Sequence, residues 1–381
     1  MRKRSAHALR KSLVAFVATS ILVGVTVLVC EVGFRTLLFS QVAFMERFRE
    51  PNLYTDYFSD DDWWKLYYAF NKPANDTAKQ PHPLLGWGWT GKFSNETYLH
   101  AEAGQVGQRQ PVLLYGDSFT HCLTALEDCF QGVLNRDTEF SKDHYLLNYG
   151  VPGYGVDQIY LLLKSSLALY HKPYVVVGIY TRDLDRSIRS FFVGRKPYFD
   201  VVADELVLRG TPIDQDPRTY GSNNPPQIWS YLYRLWLYQE GRPWRLRHYL
   251  RGTDDKQTRK ERVNESLVLE MVREIESRQL PSLFIIFAGN DEIKKVSWSE
   301  QFLAELFERR GVPYISTRAL IQEDMHRTAS KIEAYYIQQD GHPNASQNLL
   351  VSEELKRRLL LDEDAPSRKG VAILSHENMP Q

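Results

Sequence analysis

Apolar residues along the chain fall into short continuous runs that are separated by longer amphipathic segments. The runs predict five buried strands, at Val112–Tyr115, Tyr145–Asn148, Tyr174–Tyr180, Leu283–Ala288 and Pro313–Ser316. Between and after them, apolar residues at helical spacing predict helices at Phe130–Asn135, Val156–Tyr170, Ser266–Arg278, Ser299–Arg310 and Asn344–Leu361. Strands that alternate with helices indicate a parallel sheet covered by helices on both faces, so the predicted fold class is α/β.

The N-terminus predicts a membrane anchor. Basic residues are concentrated in a stub at 1–11, and Ser12–Cys30 then carries no charge over roughly the length that a membrane-spanning helix needs. A secretory signal would end in a small-residue cleavage site, which this run lacks, and Val29 is too bulky for a lipoprotein signal. We therefore expect a single-pass anchor at 12–30 in the inner (cytoplasmic) membrane. The stub would be cytoplasmic, and the rest of the chain would face the periplasmic or extracellular side.

The remaining chain is predicted to form a juxtamembrane segment at 31–82, a catalytic domain at 83–361 and a disordered tail at 362–381. An insertion at about 187–265 interrupts the alternation after the third strand. It contains a predicted hairpin and a stripe of aromatic residues at helical spacing. These residues are Trp229, Tyr231, Tyr233, Trp236 and Tyr238. Such a stripe is more often a packing surface than a substrate platform. The place of the insertion in the chain predicts a cap over the rim of the active site.

Charge and cysteine content narrow the range of functions. The 47 basic and 47 acidic residues balance, and no basic cluster with interleaved aromatic residues lies beyond the stub, so no nucleic-acid partner is predicted. No His, Cys, Asp or Glu grouping has metal-ligand spacing, and neither a metal nor another cofactor is predicted. Cys122 and Cys129 are the cysteine pair outside the anchor. A disulfide between them requires an irregular Leu123–Asp128 loop, because a continuous helix would hold their Cα atoms too far apart. The sequence leaves both arrangements open.

Candidate chemistry begins where the first predicted strand ends. Gly116 ends that strand and Ser118 follows it, at the rim where open α/β sheets place their ligands. A serine there becomes a nucleophile when a base lies within hydrogen-bond reach. Near the other end of the chain, His342 is a candidate base, and Asp340 is a candidate partner for its ring. The structural alternatives are a helix cap for Ser118 and a surface histidine ahead of a helix that Asn344 caps.

Taken in order, three motifs resemble the SGNH (GDSL) hydrolase family. They are Gly116-Asp117-Ser118, Asn148-Tyr-Gly150-Val-Pro-Gly153 and Asp340-Gly-His342-Pro-Asn344. The resemblance covers about residues 83–361 and implies a flavodoxin-like three-layer α/β/α domain with a central parallel sheet. Members of the family are esterases, lipases and carbohydrate O-acyl esterases or acyltransferases. The resemblance implies Ser118 as nucleophile, His342 as base and Asp340 as its partner. It also implies that the backbone N–H groups of Ser118 and Gly150 face the developing oxyanion.

One motif departs from the family pattern. The family usually supplies a third oxyanion donor from an asparagine after the third strand, and here Arg182 occupies that place. Arginine can donate to an oxyanion, but its longer side chain does not hold the same geometry. Asn290 follows the next strand and is the alternative donor from the same rim, although a turn residue is the commoner role of such an asparagine. The departure bears on rate and substrate class more than on fold.

The leading expectation is a membrane-anchored serine esterase that hydrolyses O-acyl groups, with O-acetyl groups favoured, on a cell-envelope glycan or a similar ester. Its partners would be an ester or acylated-glycan substrate and the membrane. The first alternative is a polysaccharide O-acyltransferase that forms the same acyl-enzyme and passes the acyl group to a sugar hydroxyl. The second is a non-catalytic glycan-binding protein, which the departure at Arg182 motivates.

Overall fold

The computed structural model describes residues 2–40, 42–57, 61–71, 78–213, 223–238 and 254–363. The chain divides into two compact units, which we call the anchor unit (1–87 with 185–263) and the sheet unit (88–184 with 264–381). The predicted insertion at 187–265 therefore groups with the N-terminal region, and its role as a cap stays a prediction. The predicted tail lies outside the described residues from residue 364 onward.

The sheet unit is built around a five-stranded parallel sheet. Its strands are β1 (Gln110–Gly116), β2 (His144–Gly150), β3 (Tyr174–Tyr180), β4 (Ser282–Phe287) and β5 (Tyr314–Ser316). Their order is β2-β1-β3-β4-β5, and every neighbouring pair is parallel, which is the flavodoxin-like arrangement. The α/β class and the flavodoxin-like sheet predicted from the sequence are confirmed, and all the predicted strands are present.

Helices flank this sheet. Every residue of β2 and β3 is buried, as expected for parallel strands that are covered on both faces. The α-helices of the unit are Ser118–His121, Phe130–Arg136, Phe140–Asp143, Val156–Ser166, Trp298–Arg310, Thr317–Thr328 and Ala345–Glu363, with Asp183–Arg186 and Asp254–Ser277 at its limits. Short 3-10 helices lie at Ala103–Gln105, Leu126–Asp128, Leu167–Leu169, Asn290–Glu292 and Ile332–Ala334.

The helix Thr317–Thr328 was not predicted from the sequence. Only Thr317 and Ile321 are buried along it, which is too few residues to produce a periodic apolar stripe. Its start is fixed instead by a cap, since the hydroxyl of Ser316 accepts a backbone N–H from the first turn at 3.2 Å. Local capping chemistry and tertiary packing therefore place a helix where hydrophobic periodicity alone does not indicate one.

The ends of two neighbouring strands set up the rim of the sheet. Gly116 at the end of β1 is paired in register with Gly150 at the end of β2, so the segments that follow them leave the sheet side by side. A Cβ atom at Gly116 would overlap the hydroxyl of Thr120 and lie 2.8 Å from the carbonyl oxygen of Gly178. A glycine is therefore required where the chain turns from β1 into the next helix.

The anchor unit begins with the long helix Arg2–Leu38. Within it, Ser12–Leu38 is long enough and apolar enough to cross a membrane, a property that it shares with signal sequences, and its most apolar window is not buried by protein. The further elements of the unit are helices Asp61–Asn71 and Tyr231–Leu237, 3-10 helices Ala43–Phe48 and Pro51–Leu53, and strands Lys79–His82, Gly86–Trp89 (at its limit), Phe191–Phe192, Gly194–Arg195, Tyr198–Val202 and Glu205–Arg209. The last two strands pair antiparallel, which confirms the predicted hairpin.

The helix Asp254–Ser277 starts earlier than the predicted helix, which began at Ser266. Its first half is polar, so it shows no apolar periodicity that would reveal it in the sequence. Ion pairs take the place of an apolar stripe there, as where the guanidinium of Arg259 lies 2.7 Å from the carboxylate of Asp200. Pairs of this kind are visible only once the partner strand is in place.

Candidate active site

The candidate nucleophile lies in the first turn after β1. Ser118 opens the short helix Ser118–His121, and Asp117 caps that helix because its carboxylate accepts the N–H of Phe119 at 2.8 Å. The cap is therefore Asp117 and not Ser118. Asp117 is fully buried, whereas Ser118 is 7% exposed. Within the described residues the N–H of Ser118 donates to no protein acceptor, which leaves it available to a substrate oxygen.

The fold brings His342 to Ser118 across 224 positions of sequence. The Nε2 atom of His342 lies 2.9 Å from the Oγ atom of Ser118, and its Nδ1 atom is hydrogen-bonded to Oδ1 of Asp340. The loop that carries these groups is closed by backbone hydrogen bonds, from the N–H of Ile337 to the carbonyl of His342 at 2.8 Å and from the N–H of Gly341 to the carbonyl of Ile337 at 3.0 Å. The positive φ of Gly341, +78°, suits a glycine in this turn.

The imidazole of His342 is held in place from two directions. Its ring lies 5.1 Å from the ring of Phe119, which in turn stacks on Tyr180 with ring centroids 3.9 Å apart. Two residues after His342, the side chain of Asn344 accepts the N–H of Ser346 at 3.0 Å and so starts the closing helix. The cap predicted for Asn344 is thus present beside the pairing of His342 with Ser118, and the two interpretations do not compete.

A hydroxyl, an imidazole and a carboxylate in this order form a path for a proton. The carboxylate beside Nδ1 favours the tautomer with its proton on that atom, which leaves Nε2 as an acceptor for the serine proton. The Oδ2 atom of Asp117 is a second acceptor for the Ser118 hydroxyl, but at 3.2 Å it is further away than Nε2. Within the described residues no three His, Cys, Asp or Glu side chains are grouped so that they could hold a metal ion.

Gly150, the second predicted oxyanion donor, lies at the rim but is already engaged. Its N–H donates to the side-chain oxygen of Asn148 at 2.8 Å. A Cβ atom at Gly150 would overlap the backbone of His121, so the residue is a glycine because β2 ends hard against the helix that carries Ser118. Donation from Gly150 to an oxyanion therefore requires a substrate oxygen to share or replace the Asn148 acceptor, and this role stays a prediction.

The two alternatives for a third donor have different surroundings. The guanidinium of Arg182 is one-third exposed and pairs with the carboxylate of Asp291 at 2.8 Å. The amide nitrogen of Asn290 lies near the loop that carries His342, because a Cβ atom built on Gly341 would be 3.8 Å from it. Asn290 is therefore beside the segment that carries His342.

Replacing Asn290 with alanine is expected to lower kcat for ester hydrolysis by about 10–100-fold, because it removes a donor from beside the loop that carries His342. The matched variant Arg182→Ala should change kcat by less than about threefold, since the guanidinium it removes is committed to a carboxylate. Steady-state kinetics of the two variants on one ester decide between them. A larger loss for Arg182→Ala would assign the third donor to arginine.

A buried lysine beneath this rim was not predicted from the sequence. The Nζ atom of Lys92 lies 2.7 Å from the carbonyl oxygen of Gly150, 2.8 Å from Nδ1 of His121 and 3.3 Å from the side-chain oxygen of Asn148. It borders a cavity of about 340 Å³ that Trp89 and His121 also line. Lys92 thus ties the end of β2 to the helix of the candidate nucleophile. A lysine between Gly91 and Phe93 resembles an ordinary surface residue in the sequence, and only the fold reveals its position.

Burial changes the protonation of this cluster. It lowers the pKa of Lys92 to about 7, against the opposing attraction of Glu102. Burial, together with the charge of Lys92, lowers the pKa of His121 to about 3, so this imidazole is neutral at physiological pH. Burial also lowers the pKa of His100 to about 4. The folded protein therefore favours the uncharged form of the Lys92 amine more than the unfolded chain does.

Replacing Lys92 with methionine is expected to remove a pH dependence of stability. The depressed pKa of Lys92 destabilises the native protein relative to the unfolded chain. This destabilisation is complete below pH about 7 and disappears as the pH rises toward the ordinary lysine pKa of 10.5. Between pH about 7 and pH about 9.5, the free energy of unfolding of the unaltered protein should gain about 2–3 kcal/mol relative to Lys92→Met. Urea unfolding at both pH values measures this. The exposed-site control Lys331→Met should follow the unaltered protein, and parallel curves for all three would contradict the assignment.

The two cysteines outside the anchor form a disulfide. Cys122 follows directly after the helix Ser118–His121 with φ +73°, which ends that helix and opens the irregular loop that a bridge requires. The closing helix supports the loop, because the side chain of Asn348 donates to the carbonyl of Asp128 at 3.0 Å. The disulfide therefore fixes the loop that follows the C-terminal end of the helix Ser118–His121.

Comparisons with known proteins add little to this geometry. No protein-family model and no curated protein matches the chain. Among solved structures, the chain is similar to a two-domain esterase active on acetylated mannans, with 13% identity, a TM-score of 0.40 and coverage of 72% of this chain but 55% of that one. It is also similar to a putative lipolytic protein of the G-D-S-L family from Desulfitobacterium hafniense, with 11% identity, a TM-score of 0.36 and coverage of 65% of this chain and 99% of that one. A third similar structure is a catalytic mutant of an acetylxylan esterase from Geobacillus stearothermophilus, with 14% identity, a TM-score of 0.36 and coverage of 66% of this chain and 95% of that one.

This chain spans about half the length of the two-domain esterase. At TM-scores this low the likeness carries no argument, and the fold assignment rests on the strand order. The strand order gives the chain a flavodoxin-like α/β fold, and the motifs at the ends of β1 and β2 and ahead of the closing helix resemble those of SGNH (GDSL) hydrolases.

Proposed function

We propose that this protein is a membrane-anchored serine esterase that cleaves O-acyl esters, with the O-acetyl groups of a glycan as its favoured substrates. The observation that carries the proposal is the 2.9 Å contact between Ser118 Oγ and His342 Nε2, with the other ring nitrogen paired to Asp340. A serine hydroxyl in contact with an oriented imidazole is the arrangement of an activated nucleophile. The preference for glycan O-acetyl groups follows from the resemblance to a family that contains carbohydrate O-acyl esterases.

In the proposed mechanism, Nε2 of His342 takes the proton of Ser118 as Oγ attacks the ester carbonyl. Asp340 holds the ring and stabilises the imidazolium that forms. The negative charge moves onto the carbonyl oxygen, where the unpaired N–H of Ser118 can stabilise it. His342 then gives its proton to the departing alcohol, and the acyl group stays on Ser118. A water molecule, activated by the same imidazole, releases the acid and restores the serine.

Two features support an exported, anchored location in this proposal. The apolar helix follows a basic stub, which favours a cytoplasmic N-terminus and so supports a periplasmic or extracellular location for the sheet unit. The disulfide between Cys122 and Cys129 is a bond that persists in oxidising compartments and is rare in the cytosol. The apolar helix supports the anchor, and the disulfide, in a different part of the chain, supports an oxidising compartment.

The test uses the full chain purified in detergent. It is incubated with p-nitrophenyl esters of increasing acyl length and with an acetylated polysaccharide, and acid release is measured with and without an acceptor oligosaccharide. Acetate release that exceeds that of longer acids supports the proposal, and acyl groups found on the oligosaccharide would make the protein an acyltransferase. Labelling by a fluorophosphonate, located by mass spectrometry, should fall on Ser118. If the protein is not labelled and releases no acid, the remaining hypothesis is a non-catalytic glycan-binding protein.

A further inference from the structure

The aromatic stripe of the insertion divides into an inner and an outer side. Tyr231 is buried in a cluster of the anchor unit, where its ring meets those of Phe39 and Tyr54 at 5.6 and 5.4 Å. The outer side consists of three rings, which we call the aromatic face. Trp229 stacks on Tyr233 with centroids 5.4 Å apart, and Tyr233 stacks on Trp236 at 6.0 Å. Trp229 is 74% exposed and Trp236 is 45% exposed, which is unusual for tryptophan.

The anchor helix itself holds this face. The carboxylate of Glu31 accepts hydrogen bonds from the Ser230 hydroxyl at 2.8 Å and from the N–H groups of Tyr231 and Leu232 at 2.7 and 3.1 Å. It thereby caps the helix Tyr231–Leu237 from outside that helix. One turn further along the anchor, the guanidinium of Arg35 donates to the carbonyl of Ile228 at 2.7 Å.

These contacts fix the height of the aromatic face along the anchor. The uncharged run Ser12–Cys30 is about 28 Å long as a helix, close to the thickness of a bilayer's hydrocarbon core. Glu31 and Arg35 then lie where the helix leaves the hydrocarbon, and the face bonded to them lies at the same level. Tryptophan and tyrosine are enriched at this boundary, because each has an apolar body and a polar tip.

The segment that follows the anchor helix also exposes an aromatic ring. Phe44 is 65% exposed, and the guanidinium of Arg47 lies 4.9 Å from the centre of its ring. An exposed aromatic ring beside a cation suits the region of the lipid headgroups, where both groups find partners. The residues after the anchor therefore leave the membrane with apolar rings still unburied by protein.

We propose that the aromatic face inserts into the headgroup–acyl boundary of the bilayer that the anchor spans, and so forms a second membrane contact of the anchor unit. The inference rests on the proposed anchor and goes beyond it, since a single helix does not by itself orient the unit that follows. The rival occupant is a glycan stacked on the same rings. The bilayer is favoured because the face is hydrogen-bonded to the anchor where the anchor emerges, and because its rings already stack on one another.

The experiment uses the full chain in vesicles of phosphatidylcholine and phosphatidylglycerol. In a Cys30→Ser background with the disulfide kept intact, a polarity-sensitive fluorophore is attached through Trp229→Cys or Trp236→Cys. Val17→Cys within the span reports on the anchor, and Trp298→Cys in the sheet unit is the matched tryptophan control. Lipids carry a nitroxide quencher either near the headgroup or deep in the acyl chain. The headgroup quencher should quench the labels at positions 229 and 236 severalfold more than it quenches the label at position 298. The label at position 17 should be quenched most strongly by the quencher deep in the acyl chain.

Each other outcome overturns the inference in a recognisable way. If the label at 17 is quenched but those at 229 and 236 are not, the anchor stands and the aromatic face lies outside the membrane. If an added oligosaccharide shields the labels at 229 and 236 while both lipid probes leave them unchanged, the face binds glycan. If the label at 17 is also unquenched, the protein is not anchored in the bilayer, and the anchor and the aromatic contact fall together. Esterase activity, measured on the same vesicles, reports separately on the proposed catalysis.

Discussion

Replacing Ser118 with alanine is expected to lower kcat/KM for ester hydrolysis by about 10³-fold or more, a loss of at least about 4 kcal/mol of transition-state stabilisation. The reason is that the variant keeps the binding site and the backbone donors but has no atom to form the acyl-enzyme. Among the described residues the Ser118 hydroxyl is hydrogen-bonded to Asp117 and His342, and replacing serine with alanine removes only that oxygen, so the fold should tolerate the change. Initial rates with p-nitrophenyl acetate, and acetate release from an acetylated glycan, measure the change.

The matched control for this variant is Ser346→Ala. Ser346 is exposed at the start of the closing helix, four residues from His342 in sequence, and it should retain activity within about twofold. Thermal unfolding of both variants shows whether either substitution disturbs the fold. Hydrolysis by a correctly folded Ser118→Ala protein at close to the unaltered rate would remove the serine from the mechanism and leave another group, or water, as the nucleophile.

Replacing His342 with glutamine is expected to lower kcat by about 10³–10⁴-fold with a much smaller effect on KM. Glutamine approximates the size of the imidazole and can hydrogen-bond to Ser118, but it cannot carry a proton from the nucleophile to the leaving group. His326→Gln is the matched control, because His326 is exposed on the helix Thr317–Thr328. Steady-state kinetics on a single ester compare the two, and equal rates would show that the contact with Ser118 is structural.

A graded effect at Asp340 should accompany the loss at His342. The side chain of Asp340 is 45% exposed, so water can replace part of its interaction with the imidazole. Asp340→Asn is therefore expected to reduce kcat less than His342→Gln does. A loss as large as that of the histidine variant would mean that the carboxylate is needed to hold the ring as well as to stabilise its charge.

Much of the sheet follows from sequence, because parallel strands buried on both faces appear as uninterrupted apolar runs. Tyr174–Tyr180 is the plainest case, and the structure gives the strand the same bounds. The order of the strands has no such local signal, and its prediction depended on the resemblance that the three motifs carry. The pairing of Ser118 with His342 was predicted for the same reason, because it is what the resemblance of the motifs that contain them implies.

The features that escaped prediction depend on which groups the fold buries. Lys92 has the sequence neighbourhood of a surface lysine, and its contacts with Gly150 and His121 exist only after β2 and the nucleophile helix pack together. The bond from the Gly150 N–H to Asn148 is likewise a matter of side-chain rotamer, which no spacing of residues specifies. That a predicted donor already has a partner becomes evident only in the folded structure.

The carboxylate of Glu31 sits at the last turn of the apolar run, yet it completes a helix that comes about two hundred residues later. Leu38, a few residues further on, is fully buried in the cluster beneath that helix. Removing the chain up to and including Leu38 would take away both supports and loosen the anchor unit. A derivative without the exposed apolar helix surface should therefore be made by substituting the apolar side chains before residue 31, so that the turn that carries Glu31 is kept.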